Sequence, residues 1–95
     1  LSAIESLILE LLLANDDAMY GLQLVAASRR RLKRGTIYVT LGRMEEKGFI
    51  SSRLEAAPPD AGGLPRRLYE PTALGRRVVA AWTAAAKHFS PRLAQ

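Results

Sequence analysis

Ninety-five residues are enough for one small domain, and the absence of cysteine excludes disulfides and thiolate metal sites. An apolar content of 48% suits a folded chain, and no apolar run approaches the length of a membrane span, so a reducing, cytoplasmic setting away from the membrane is expected. Fourteen Lys and Arg against nine Asp and Glu give a net charge of +5, yet Glu5, Glu10, Asp16 and Asp17 stand in a first segment with no base, leaving +9 on the rest. That imbalance favours a surface for a polyanion on one side of the molecule, with simple solubility as the alternative.

In chain order, Ser2 and Glu5 have the spacing of a capping box ahead of a helix ending near Asn15. Ile4, Leu7, Ile8 and Leu11 recur on one face, and Leu9 and Leu13 form a second stripe. A surface helix of a small monomer needs only one stripe, so the second is expected to meet either the rest of the domain or a partner chain. A short helix over residues 19–28 offers Leu22, Leu24 and Val25 to a core. The connector of residues 29–34 is basic at five of six positions, and a third helix over 35–47 follows, with Ile37, Leu41 and Met44 on one face and Gly48 as its stop. Two helices around a short connection make a helix-turn-helix.

Beyond Gly48 the pattern is β-like over 49–55 and again over 66–70, around a Pro- and Gly-rich loop, with Pro71 as a stop. These two strands read as a wing. Thr72 is placed to cap a last helix reaching Phe89, whose stripe is Leu74, Val78, Ala81, Trp82, Ala85 and Phe89. The expected fold is therefore α+β, mostly α. It is a winged helix-turn-helix over 1–71, with a two-stranded wing, and a C-terminal helix over 72–95 packed on it.

Catalysis has little to work with. His88 is the only histidine and stands near the end of the last helix, no His, Cys or carboxylate spacing suggests a metal site, and Gly62-Gly63 belong to the loop rather than to a phosphate cradle. Neither an enzyme nor a cofactor is expected. Polyanion binding has a specific argument. Lys33 and Arg34 precede the third helix, where cations oppose the helix dipole by roughly 0.3–1 kcal/mol each, a conflict that a DNA phosphate would reverse. Opposite the buried face, Thr36, Val39, Thr40 and Arg43 are available to base edges, Val39 for a thymine methyl and Arg43 for a guanine edge or a phosphate. Tyr38 flanks the core and reads mainly as a packing residue whose hydroxyl can reach the DNA backbone. In the wing, Arg66 and Arg67 are candidate contacts to phosphates or the minor groove, and Arg53 is as easily a solvated strand charge.

These features resemble the PadR family of bacterial transcriptional regulators over nearly the whole chain. Ile8-Leu9-Glu10-Leu11-Leu12 with Met19-Tyr20-Gly21 is similar to the family's opening. Gly35-Thr36-Ile37-Tyr38-Val39-Thr40-Leu41, continued by Met44-Glu45-Glu46-Lys47-Gly48-Phe49-Ile50, resembles its strongest signature. Arg67-Leu68-Tyr69-Glu70-Pro71-Thr72-Ala73-Leu74-Gly75 resembles its strand-to-helix motif. Val39 stands where the family usually has proline, Leu68 where a second tyrosine is common, and Pro71 where leucine is usual. The resemblance implies a homodimeric repressor on double-stranded, pseudo-palindromic operator DNA. It also implies dimer contacts between the first and last helices, here Leu9, Leu13, Val78, Trp82, Ala85 and Phe89. A single C-terminal helix marks the short subgroup, some members of which bind a small hydrophobic effector between dimer helices; Trp82 is the matching contact, with a plain interface role weighed above it. A ligand-sensing or protein-interaction module without direct DNA readout is the second class left open.

Overall fold

The computed structural model describes residues 1–56 and 65–89, with side chains to Lys87. Helix α1 (Ala3–Ala14) starts at the expected capping box: the Glu5 N–H donates to Ser2 Oγ at 3.1 Å and the Ser2 N–H to Glu5 Oε1 at 2.9 Å. Its buried face is Glu5, Ser6, Ile8, Leu9 and Leu12, whereas Ile4 is exposed and Leu7 and Leu11 are half-buried. The expected core stripe was thus rotated by about one residue, because a helix this rich in leucine satisfies the helical period on more than one face. Asn15 closes the helix, and Asp16 and Asp17 follow with φ of 58° and 63°, a left-handed pair that short acidic side chains tolerate.

Residues 19 and 20, expected to be helical, form instead a two-residue strand β1 (Met19–Tyr20). Helix α2 (Gly21–Ala27) begins only after it. Strand β1 pairs antiparallel with β3 (Arg66–Pro71), which also pairs antiparallel with β2 (Ile50–Glu55). The wing is therefore part of a three-stranded sheet in the order β1-β3-β2, not an isolated two-stranded ribbon. Two residues are too few to reveal a strand by alternation; the edge of β3 makes them one.

Helix α2 ends at buried Ser28, whose hydroxyl donates to the Val25 carbonyl at 2.8 Å and accepts from the Leu32 N–H at 2.9 Å. This bridge holds a turn in which Arg29 and Arg30 have φ of 54° and 73°, a conformation costing L-residues roughly 1–2 kcal/mol each. Helix α3 (Ile37–Glu46) begins two residues later than its sequence suggests and buries Ile37, Leu41 and Met44 as expected. Its end is a Schellman turn. The Gly48 N–H donates to the Glu45 carbonyl and the Phe49 N–H to that of Met44, with Gly48 at φ 80°.

Helix α4 (Ala73–Phe89) docks on that turn. The Thr72 hydroxyl donates to the Gly48 carbonyl and accepts from the Gly75 N–H, and the Thr72 N–H donates to the Phe49 carbonyl. The core joins α1 (Ile8, Leu9, Leu12) to Leu24, Leu32, the three α3 residues, Ile50, Tyr69 and Val79.

Two predictions follow from this packing. A Cβ on Gly75 would lie 2.0 Å from the Phe49 carbonyl oxygen, which is backbone and cannot swing aside. Gly75→Ala is expected to lower unfolding free energy by about 1–3 kcal/mol or more, read from urea denaturation, whereas Gly42→Ala, inside α3 with nothing within 4 Å, should raise it by roughly 0.5–1 kcal/mol. Glu5 also accepts from Lys47 Nζ at 2.7 Å. Burial would raise its pKa, but the hydrogen bonds from Lys47 and the Ser2 N–H outweigh this and hold it below its ordinary value of 4.5. A depressed carboxyl pKa contributes stability that is complete above the unfolded value and fades as pH falls through the folded one. Wild-type protein should therefore lose stability below about pH 4.5 more steeply than Glu5→Gln, in parallel denaturation series.

Candidate nucleic-acid interface

The start of α3 carries an unresolved positive field. The Lys33 carbonyl accepts from the N–H groups of Thr36 and Ile37 at 3.2 and 3.0 Å, but no side chain caps the helix and its first turn holds no acid. Lys33 and Arg34 are exposed in the connector, just ahead of the helix rather than within it. Among the described residues, Arg29, Arg30, Arg31, Lys33, Arg34 and Arg43 form no ion pair. Of the two carboxylates on α3, Glu45 accepts from the Ser52 hydroxyl, and neither it nor Glu46 pairs with the connector. Cations set before an uncapped helix N-terminus form an anion-binding arrangement.

The outward face of α3 presents Thr36, Val39 and Arg43, with Val39 58% exposed and therefore free for close contact. Thr40 is half-buried, and its hydroxyl donates to the Thr36 carbonyl at 3.2 Å, so its proton is already used within the helix. Tyr38 is half exposed and lies on the start of α2: a Cβ at Gly21 would come within 2.6 Å of its ring. The missing side chain at Gly21 is what lets this aromatic settle between α2 and α3.

Arg66 and Arg67, expected to act as a pair, are separated by the pleat of β3, since successive strand residues face opposite sides. Arg66 stacks on the Tyr20 ring at 4.3 Å, and the Tyr20 hydroxyl donates to Glu55 at 2.7 Å. That carboxylate bond raises the Tyr20 pKa. Arg67 turns to the other face and donates to Ser52 Oγ at 3.0 Å. Arg53 is held by Glu70 and Glu55, which makes it a strand ion-pair residue. Tyr20, Tyr38, Leu22, Leu54, Arg66 and Arg67 line a cleft of about 330 Å³ between the helices and the wing. Sequence reasoning missed Tyr20 because its role depends on the unforeseen strand β1.

The candidate dimer residues divide. Leu9 is fully buried beneath α4, close to Gly75, and offers no surface to a second chain. This corrects the interface role that the family resemblance implies for Leu9: of the two coverings left open for its stripe, Leu9 has the chain's own last helix. Leu13 remains 37% exposed, beside a groove walled by Arg76, Ala80 and Thr83 of α4. On α4 the inward line is Gly75 and Val79, while Leu74 and Trp82 are each 39% exposed, Ala81 and Ala85 are exposed and Val78 is half-buried. The side chains of His88 and Phe89 lie outside the described residues. Among the described residues no helix is long and apolar enough to cross a membrane, and no group of three His, Cys, Asp or Glu could hold a metal.

The family model for the transcriptional regulator PadR-like family matches residues 8–81, a span that includes the helix-turn-helix, the wing and most of α4. The chain belongs to the PadR-like family of transcriptional regulators. Among solved structures it is similar to a PadR family transcription regulator from Clostridium difficile R20291, with 28% identity and a TM-score of 0.80 over 99% of this chain and 97% of that one. A PadR-like transcription factor from Bacteroides fragilis gives 22% identity and a TM-score of 0.77, covering 95% and 85%. Bacillus subtilis PadR, solved in complex with operator DNA, gives 21% identity and a TM-score of 0.74, covering 85% of this chain and 46% of that longer one. No curated protein sequence matches the chain. As a PadR-like chain it is α+β and mostly α, with the winged helix-turn-helix expected from its sequence.

Proposed function

We propose that this PadR-like chain is a homodimeric repressor that binds pseudo-palindromic double-stranded DNA. Residues 1–71 would form the DNA-binding unit and 72–95 the dimerisation helix, and the protein would work in the cytoplasm. The observation that carries this reading is the run of unpaired cations before the uncapped N-terminus of α3. Phosphates there relieve the repulsion between Lys33, Arg34 and the helix dipole. Thr36, Val39 and Arg43 then face base edges in the major groove, with Thr40 and Tyr38 at the flanks and the wing arginines near the backbone or the minor groove. The Bacillus subtilis relative, solved in complex with operator DNA, supports DNA as the partner.

The exposed stripe of α4 supports the dimer. Leu13 lies on one flank of that helix and Val78 and Trp82 on the other, so a two-fold axis can set each patch of one chain against the other patch of its partner. Burying Trp82 in this way accounts for its exposure in the single chain. A small hydrophobic effector between the dimer helices is the second use of the same residue, and would provide a route to release from DNA.

A DNA titration at several ionic strengths tests the reading. If 6–10 phosphates are contacted, affinity should fall by about 10³–10⁵ between 50 and 200 mM salt. Arg43→Ala should relax sequence preference, whereas Lys33→Ala should weaken specific and random DNA alike. No binding at low salt refutes DNA binding and leaves the protein-interaction reading. Sedimentation should show a dimer that Trp82→Glu converts to monomer; a monomeric wild-type protein refutes the dimer.

A further inference from the structure

The two wing arginines are held by different parts of the molecule, and only one of them answers to α3. The Ser52 hydroxyl lies 2.8 and 3.0 Å from the two carboxylate oxygens of Glu45, and Arg67 Nη1 donates to the same hydroxyl at 3.0 Å. A hydroxyl has one proton to give and lone pairs to receive with, so Ser52 satisfies both neighbours at once. The register explains the reach. Arg67 pairs with Leu54, and Ser52 is two residues along β2 on the same face, the diagonal position open to a long side chain. The relay thus runs from α3 through β2 to β3. Arg66, on the opposite face, is stacked on Tyr20 and has no part in it.

We propose that Glu45 and Ser52 are positioning residues that aim Arg67 at DNA from the recognition helix, an inference that rests on the DNA-binding reading above. Among the described residues Arg67 forms no direct ion pair. The hydroxyl therefore orients the guanidinium while a carboxylate in direct contact would neutralise it. One of the five N–H donors is used, and the others stay available to a phosphate or a groove edge. Because Glu45 neighbours the buried anchor Met44 on α3, the place of Arg67 is tied to the element that enters the major groove. Helix and wing then read DNA as one unit.

The test is a double-mutant cycle on DNA affinity, with urea denaturation to confirm that each variant folds. Ser52→Ala should weaken binding roughly three- to tenfold in the wild-type background and leave it unchanged in an Arg67→Ala background. Ser52→Thr, which keeps the hydroxyl, should restore binding. Arg67→Ala should reduce the salt slope by about 0.9 and Ser52→Ala should not, since it removes no charge. An equal loss from Ser52→Ala in both backgrounds, or no loss in either, overturns the relay while leaving DNA binding intact. A wild-type protein without salt-dependent binding overturns the DNA reading, and the aiming role with it.

Discussion

The corner formed by Gly48 and Phe49 is the constraint on which the other elements depend. Between Glu46 and Ile50 α3 ends, β2 begins and α4 is tied down. Gly48 takes the left-handed conformation that closes α3, and its carbonyl accepts the Thr72 hydroxyl. The Phe49 carbonyl accepts the Thr72 N–H and also lies where a Gly75 side chain would stand. One glycine permits the turn and another permits the approach of the helix that packs on it. Helix α3, the wing and the last helix therefore share one junction, and the Glu5–Lys47 pair ties the first helix to the same end of α3.

Two groups of cations around this frame contrast. Lys47, Arg53 and Arg76 are paired with carboxylates and join elements together, and Arg67 is tethered through Ser52. The cations of the α2–α3 connector, with Arg43 on α3, pair with nothing among the described residues. The connector also accepts two left-handed arginines that Ser28 holds in place. A fold shaped by stability alone would relieve such crowding with an acid or a helix cap. In the proposed reading an outside anion would supply the relief instead, turning an electrostatic cost of the free protein into a contribution to complex formation.

Much of this was legible in the sequence, for local reasons. The Ser2–Glu5 box, the Ile37–Leu41–Met44 face, the Gly48 stop and the Thr72 cap each depend on residues within about two turns of one another, and the structure has all four. What escaped depends on contacts distant in sequence. Strand β1 exists because β3, some fifty residues later, offers an edge to Met19 and Tyr20. The core face of α1 is selected by α4, which covers Leu9 and leaves Leu13 exposed, a choice that a leucine-rich helix does not announce. Arg66 and Arg67 look like one basic pair in the sequence, yet strand register sends them to different partners. The polar atoms of Ser52 gave no sign of a role, since its two partners lie 7 and 15 residues away.

The junction also has a consequence for regulation in the proposed dimer. Two recognition helices must sit about 34–36 Å apart to enter successive major grooves of one duplex face. Each α3 is fastened to its own α4 through Thr72 and Gly75, so the pairing of the α4 helices sets that spacing. A change of packing around Trp82 would not need to reach α3 through the core. It would move both helix-turn-helix units as rigid bodies, and a displacement small at the interface would grow with distance from it. Because the wing arginine is tethered to α3 as well, such a movement would shift helix and wing contacts together, and DNA would be lost from both at once rather than from either in turn.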